Sequence, residues 1–294
     1  MIENVNNTPF TLLLGTAQDG GYPQAGCRRE CCAAARVRPE SRRLVSSLAI
    51  IDPATSQRWI IDCTPNFPEQ LHLLNDALAV DDVSQPTGIL LTHAHVGHYT
   101  GLIQLGREVM AANAVPLYVM PRMLAFLEGH EPWRRIIQDG HLAPISLAAG
   151  QRVQLSERLS VVPFLVPHRD EHSETVGFRI DGPSRRVLYL PDIDDWQQLD
   201  PPIEQMIAEV DVAYLDGTFF DDGELPGRDM SRIPHPRITD SLCRFSSLPP
   251  TERAKIRFIH LNHTNPATDG RSESADKIRA AGCHVAVDTE RQLL

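Results

Sequence analysis

The chain has 294 residues, 42% of them hydrophobic, and a formal net charge of −10. That length can bury a sizeable core, and the acidic balance argues against a nonspecific nucleic-acid binder or a protein that coats an anionic membrane. No run approaches the roughly 18 apolar residues needed to span a bilayer and no signal-peptide pattern opens the chain, so a cytoplasmic protein is expected.

In chain order, aliphatic and β-branched runs predict strands over 10–14, 47–51, 59–61, 88–91 and 117–120, then over 161–166, 175–180, 187–190, 212–215 and 256–259. Helical patterns fall between them, over 67–78, 101–112, 123–127, 203–208, 238–245 and 273–281. The arginines at 28, 29, 36, 38, 42 and 43 read as a solvated face. Gly182-Pro183 and Asp222-Gly223 mark turns rather than domain boundaries. The mixture implies sheets covered by helices in one domain over 1–294, in an α/β or layered α+β arrangement.

Four of the apolar runs end at metal-ligand residue types. They lead into His93-Ala94-His95-Val96-Gly97-His98, Pro167-His168, Pro191-Asp192 and His260-Leu261-Asn262-His263. A buried strand that ends on a polar side chain delivers it into a cleft, so ligands distant in sequence can converge. His93, His95 and His98 are expected in a loop before a helix opening near Thr100-Gly101-Leu102. Three imidazoles so closely spaced are hard to satisfy as core groups, because each buried ring needs partners for both nitrogens. Neutral imidazole suits zinc, iron, nickel and copper. Six cysteines are too sparse for a disulfide scaffold, and the grouped Cys27, Cys31 and Cys32 suggest thiolate ligands. Cys63, Cys243 and Cys283 read as small core residues.

The motif His93-x-His95-x-x-His98 after an aliphatic strand resembles the signature of the metallo-β-lactamase superfamily. A more specific resemblance is to the family of pyrroloquinoline-quinone biosynthesis protein B. Gly15 to Gln24 with Cys27, Cys31 and Cys32 is similar to that family's N-terminal element, taken here as residues 15–36. Gly101-Leu102 to Arg107-Glu108, Pro167 to Asp170, Asp216 to Phe219 and His260 to Pro266 extend the similarity over nearly the whole chain. The resemblance implies an αββα sandwich, an α+β fold with the metal edge along two packed sheets. It implies His93, His95 and His168 at a first metal position, Asp192 bridging, and His98 with His263 at a second. It further implies a structural zinc held by Cys27, Cys31, Cys32 and a late histidine, assigned to His260; spacing leaves the exchange of His260 and His263 open. Two departures stand out. Many members of that family lack the full histidine set kept here, and the superfamily usually has Asp where this chain has Gly97. Asp19 and Asp62, each near a predicted strand end, are the candidate replacements.

The histidine set points to a metal-dependent hydrolase carrying one or two divalent ions (Zn, Mn or Fe) that activates water against a phosphodiester or an ester or amide bond. Asp192 is the central catalytic candidate, with His172 and Asp170 as further candidates for moving protons. Arg228, His235 and Asp216, in or beside a long polar segment, are candidates for binding substrate. The expected partner is an anionic small molecule, with no nucleic acid and no membrane; an oligomer is left open. The family resemblance supplies two alternatives, an iron-dependent hydroxylase in quinone-cofactor synthesis and a non-catalytic metabolite carrier.

Overall fold

The computed structural model describes residues 7–78 and 85–294. Its strands are β1 (Phe10–Gly15), β2 (Ser47–Asp52), β3 (Gln57–Ile61), β4 (Gly88–Leu90), β5 (Val115–Val119), β6 (Leu142–Ser146) and β7 (Val153–Gln154). They continue as β8 (Ser160–Leu165), β9 (Val176–Asp181), β10 (Arg186–Leu190), β11 (Val212–Asp216), β12 (Ile256–Ile259), β13 (His284–Val285) and β14 (Arg291–Leu293). All ten strands expected from the sequence form. The short β6, β7, β13 and β14 add to them at sheet edges, where polar residues and Pro144 hide the strand pattern.

These strands make two seven-stranded sheets, ordered β14-β1-β2-β3-β4-β5-β6 and β13-β12-β11-β10-β9-β8-β7. Each is half antiparallel and half parallel. Pairing is antiparallel from β14 to β3 and parallel from β3 to β6. In the second sheet it is antiparallel from β7 to β10 and parallel from β10 to β13. Two consecutive antiparallel steps restore direction, so β1, β3 and β4 run the same way, as do β8, β10, β11 and β12. The carboxyl ends of each set share one edge of their sheet.

The run Val187-Leu188-Tyr189-Leu190 shows why a continuous apolar segment suits this place. Val187 and Tyr189 face the core between the sheets, while Leu188 and Leu190 face a second core under the outer helices. Val212 and Tyr214 against Ala213 and Leu215 repeat the alternation on β11. A strand buried on both faces needs apolar residues at every position. Ile203, Ile207, Ile238, Phe245 and Ile278 from three helices close that second core. The result is the expected αββα sandwich, in one domain. Among the described residues no helix is long and apolar enough to cross a membrane.

The helix expected over 101–112 differs. A helical turn over Val96–Tyr99 runs into a 3-10 segment over Thr100–Leu105 and stops. The cause is competition for backbone groups. The Gly101 amide donates to Cys63 O and the His98 carbonyl accepts from Cys63 N, each at 2.9 Å, which ties this segment to the end of β3 rather than to its own next turn. Gly101 is required there, because a Cβ would lie 2.1 Å from Thr64 O. His98 consequently sits on a helical turn and not in a loop.

Candidate metal centre

Most side chains of the centre come from a carboxyl-terminal strand end or the segment that follows it. The first sheet contributes Asp19 after β1, Asp62 after β3, and His93, His95 and His98 after β4. The second contributes His168 after β8, Asp192 after β10, Asp216 at the end of β11 and His260 after β12. Ligand sites of open parallel sheets form outside such ends. The two sheets bring the donors together where β1 and β12 continue as a parallel bridge between Ala17 and Leu261.

Asp192 lies at the middle. Its Oδ2 is 3.5 Å from His93 Nε2, 3.2 Å from His168 Nε2 and 4.0 Å from His95 Nδ1. The same oxygen is 4.0 Å from His98 Nε2 and 3.8 Å from His260 Nε2. Asp19 Oδ1 closes the far side, 3.4 Å from His98 Nε2 and 3.8 Å from His260 Nε2. Asp192 thus stands between two donor groups: it joins His93, His95 and His168 on one side and lies 3.8–4.0 Å from the histidines of the Asp19, His98 and His260 group on the other, and it also groups with Asp216 and His235.

Four of the imidazoles are oriented alike. Each gives its Nδ1–H to an outer acceptor: His98 to Asp62 Oδ2 at 2.7 Å, His168 to Asp194 Oδ1 at 2.6 Å, His93 to Thr92 Oγ1 at 2.9 Å and His260 to Thr218 Oγ1 at 3.0 Å. The threonines pass their own hydroxyl protons on, Thr92 to Asp62 and Thr218 to Asp216. That arrangement turns every Nε2 lone pair inward, as outer partners of metal-bound imidazoles do. His93 Nε2, His98 Nε2, His260 Nε2, Asp192 Oδ1 and Asp19 Oδ1 are buried without any hydrogen-bond partner. Native interiors rarely leave polar atoms so, and donors gathered in this way fit bound cations. Two of the outer and inner residues hold a left-handed backbone, Asp62 with φ 67° and His260 with φ 60°.

The charges agree. Burial pulls His93 well below the usual imidazole range and His95 down to about 4, which keeps both as neutral ligands. Burial also works against charge on His168 and His98, but neighbouring carboxylates outweigh it. Asp192 and Asp194 lift His168 to about 10, and Asp62 with Asp19 lifts His98. Asp192 itself is held well below the carboxylate range: burial opposes ionisation, and His168, His260 and His235 overcome it. The cluster is an anionic pocket that wants positive charge, from protons or from a metal.

A second donor group stands apart. Cys27 Sγ and Cys31 Sγ are 3.8 Å apart, and His263 Nδ1 is 3.6 Å from Cys31 Sγ and 3.4 Å from Cys32 Sγ. A tetrahedral zinc with Zn–S of about 2.3 Å and Zn–N of about 2.0 Å places sulfurs about 3.8 Å apart and S–N pairs about 3.6 Å apart. The geometry therefore reverses the expected division of the late histidines. His263, expected at the second metal position, faces the cysteines; His260, expected with the cysteines, faces Asp19 and Asp192. The physical reason is the left-handed backbone at His260, which turns its ring back toward the strand ends while the chain runs on to place His263 under Cys32.

Other candidates are placed differently from expectation. Asp170, a candidate for proton transfer, is exposed and pairs with Arg122 at 3.4 Å. His172 is exposed on the cavity wall, its ring centroid 5.4 Å from that of Phe126, outside both donor groups. Asp216, considered for substrate, is fully buried and takes hydrogen bonds from Thr218, His235 and the Ile193 amide, so it positions rather than binds. His235 stands at the centre itself, with Nδ1 2.9 Å from Asp216 Oδ2 and 3.3 Å from Asp192 Oδ1. Asp194 belongs to the site, where it holds His168, while its neighbour Asp195 caps the next helical turn, accepting from the Gln197 amide. Asp62, expected as a candidate carboxylate ligand because it ends a strand, instead holds His98 from outside the inner set.

A cavity of about 400 Å³ opens over the centre, lined by His95, His168, Asp192 and His235. It adjoins a second of about 660 Å³ through shared walls at Gln18, Phe219 and Ile233, and there Arg28, Arg29 and Arg228 lie. Arg228 thus faces the approach rather than the centre.

Comparison with known proteins agrees with this architecture. Residues 57–280 match the family described as "Beta-lactamase superfamily domain". "Coenzyme PQQ synthesis protein B" of Methylobacterium radiotolerans is 28% identical, covering 94% of this chain and 97% of that protein. The corresponding protein of Pseudomonas fluorescens is 27% identical, covering 95% and 98%. Among solved structures, Zn(2+)-bound PqqB from Methylobacterium extorquens superposes with a TM-score of 0.82 at 23% identity, covering 97% of this chain and all of that one. A diphosphatase from the PhnP family follows with a TM-score of 0.69 at 21% identity, covering 97% of each. The chain belongs to the metallo-β-lactamase superfamily and is PqqB-like over nearly its whole length.

Proposed function

We propose that the protein is a metal-dependent hydrolase that cleaves a phosphodiester, diphosphate or related ester bond of an anionic small molecule. The observation that carries this reading is the convergence of five buried, unpartnered donor atoms beneath an open cavity. His93, His95, His168 and Asp192 would hold one divalent ion, and Asp192 reaches the second donor group from the same carboxylate. A bound cation supplies Lewis acidity, acidifying water and offsetting charge on a phosphoryl or carbonyl oxygen. The chain's own residues do the rest. Asp62, Asp194, Thr92 and Thr218 hold the imidazoles in register. His235 lines the cavity, its Nδ1 proton committed to Asp216, which leaves Nε2 as the atom able to hand a proton to a departing oxygen. Arg28, Arg29 and Arg228 on the adjoining wall suit a second anionic group of the substrate. The relation to a diphosphatase of similar fold supports phosphoryl chemistry. The Cys27–Cys31–Cys32–His263 group, three thiols and an imidazole whose donor atoms lie within 4.8 Å of one another, is assigned a structural zinc.

The test is turnover of bis(p-nitrophenyl) phosphate by protein loaded in turn with zinc, manganese and iron. Turnover that disappears in a folded His95→Ala variant supports the proposal. Absence of turnover over the metals and a panel of phosphate and carboxylate esters overturns it.

A second reading is favoured by one finding, the full-length similarity to coenzyme PQQ synthesis proteins. The imidazole and carboxylate set also accommodates Fe(II), so an oxygen-using hydroxylation of a tyrosine- or quinone-like precursor is the alternative. Oxygen uptake that depends on both iron and such a compound would select it over hydrolysis.

A further inference from the structure

Gly97 sits on the same turn as His98, one residue ahead of it, at a point where a side chain would enter the centre. A Cβ added there would lie 2.1 Å from Asp19 Oδ1 and 2.8 Å from Asp19 Cα and Cγ. The space a residue at 97 would use is already filled by the carboxylate of another loop. That loop is pinned. Gln18 N donates to Leu261 O at 2.9 Å, next to His260, and Gly21 N donates to Gln18 O at 2.8 Å to close the turn around Asp19. Asp19 Oδ1, His98 Nε2 and His260 Nε2 face one another at 3.4 and 3.8 Å, and all three are buried without hydrogen-bond partners.

We infer that Asp19 and Gly97 are a coupled pair: Asp19 provides the terminal carboxylate of the second cation position, and glycine at 97 is the condition that admits it. This rests on the metal-centre reading above and extends it to two positions. With Asp19, His98, His260 and the shared Asp192, the second group has four donors of the kind zinc, manganese and iron accept. The carboxylate reaches the ion from the β1 loop instead of from the histidine turn. Position 97 is then fixed as glycine by packing alone, since even a methyl group meets the Asp19 backbone as well as its side chain.

Metal stoichiometry and stepwise affinity test the pair, with zinc itself as the probe and no activity needed. The wild-type chain is expected to bind three zinc ions, one at the cysteines and two at the centre. Asp19→Ala should bind one fewer, with the second central ion weakened about 100-fold or more and the other two unchanged. Gly97→Ala should lose the same ion, by displacing Asp19. Three ions held at unchanged affinity by Asp19→Ala overturn the inference. A wild-type chain with two ions, at the cysteines and at His93–His95–His168–Asp192, also overturns it and leaves the metal centre standing; one ion at the cysteines alone overturns the centre as well. Should the variants misfold, anomalous scattering from zinc-loaded wild-type crystals decides. An Asp19 oxygen about 2.0–2.2 Å from the second ion supports the pair, and one beyond ligand distance refutes it.

Discussion

The two donor clusters are built on opposite plans. The cysteine group draws three of its four side chains from one short stretch, Cys27 to Cys32, and adds His263 alone from afar. The histidine and carboxylate group draws on the ends of strands in both sheets, and its outer layer of Asp62, Asp194, Thr92 and Thr218 is as ordered as its inner one. A local, saturated cluster closes a segment onto the body of the protein. A dispersed cluster with a cavity above it exists only once the whole sandwich has formed, and it keeps room for a reactant. The loop after β12 joins them, because His260 serves one and His263 the other.

The contrast can be broken at several points. The largest effect is expected at the shared carboxylate. Asp192→Asn keeps the shape but removes the charge facing both donor groups, and should lower turnover about 10³-fold or more, the scale of several kcal/mol of transition-state stabilisation. Steady-state kinetics with a metal titration check it; near-normal kcat would mean that the two halves of the histidine and carboxylate centre do not share Asp192. Next is Cys32→Ser. If the thiol group is structural, the melting temperature should fall by roughly 5–10 °C, and chelation of the wild type should reproduce the fall. Calorimetry that shows no change would place the cysteines outside the stability of the fold.

Outer-layer changes should be milder. Asp194→Ala and Asp62→Ala, which release His168 and His98 respectively, should each weaken metal binding about 10- to 100-fold without removing a ligand. Calorimetric titration measures this, and affinities equal to wild type would show that inner geometry needs no outer support. The smallest effect lies far from both clusters. Arg244 pairs with Glu204 at 2.6 Å and holds its carboxyl below the usual range. A lowered folded pKa means this contribution is present above the unfolded value and fades as pH falls through the folded one. Glu204→Gln should therefore cost only about 0.5 kcal/mol at pH 7, and the difference from wild type should persist in mildly acidic buffer and fade only once the pH falls below the ordinary carboxylate range. Denaturant melts at both pH values check the sign.

Much of this was legible before any coordinates. Aliphatic runs mark the long strands because strands buried on both faces tolerate little else, and a polar residue at the end of such a run marks the edge where ligands gather. The rest depended on three-dimensional facts that spacing does not carry. His260 and His263 are separated by one helical turn's worth of sequence but by a left-handed residue in space, so no count could divide them between the clusters. Asp19 and Asp62 both lie near strand ends and spacing could not choose between them; the choice appears only when position 97 is seen to point at Asp19. Asp194 and Asp195 are neighbours of one type, yet one faces a ring and the other a backbone amide. The helix boundary after Leu105 had the same origin, since the Gln104 and Leu105 carbonyls accept from Met110 N and Ala112 N across a turn rather than along a helix.

The backbone at Asp62 and His260 carries one last consequence. Each non-glycine residue in that conformation costs about 1 kcal/mol or more relative to glycine. Glycine would relieve that strain, but at Asp62 it would also strip the acceptor from Thr92 and His98, so the cramped backbone is retained by the same groups it serves to aim.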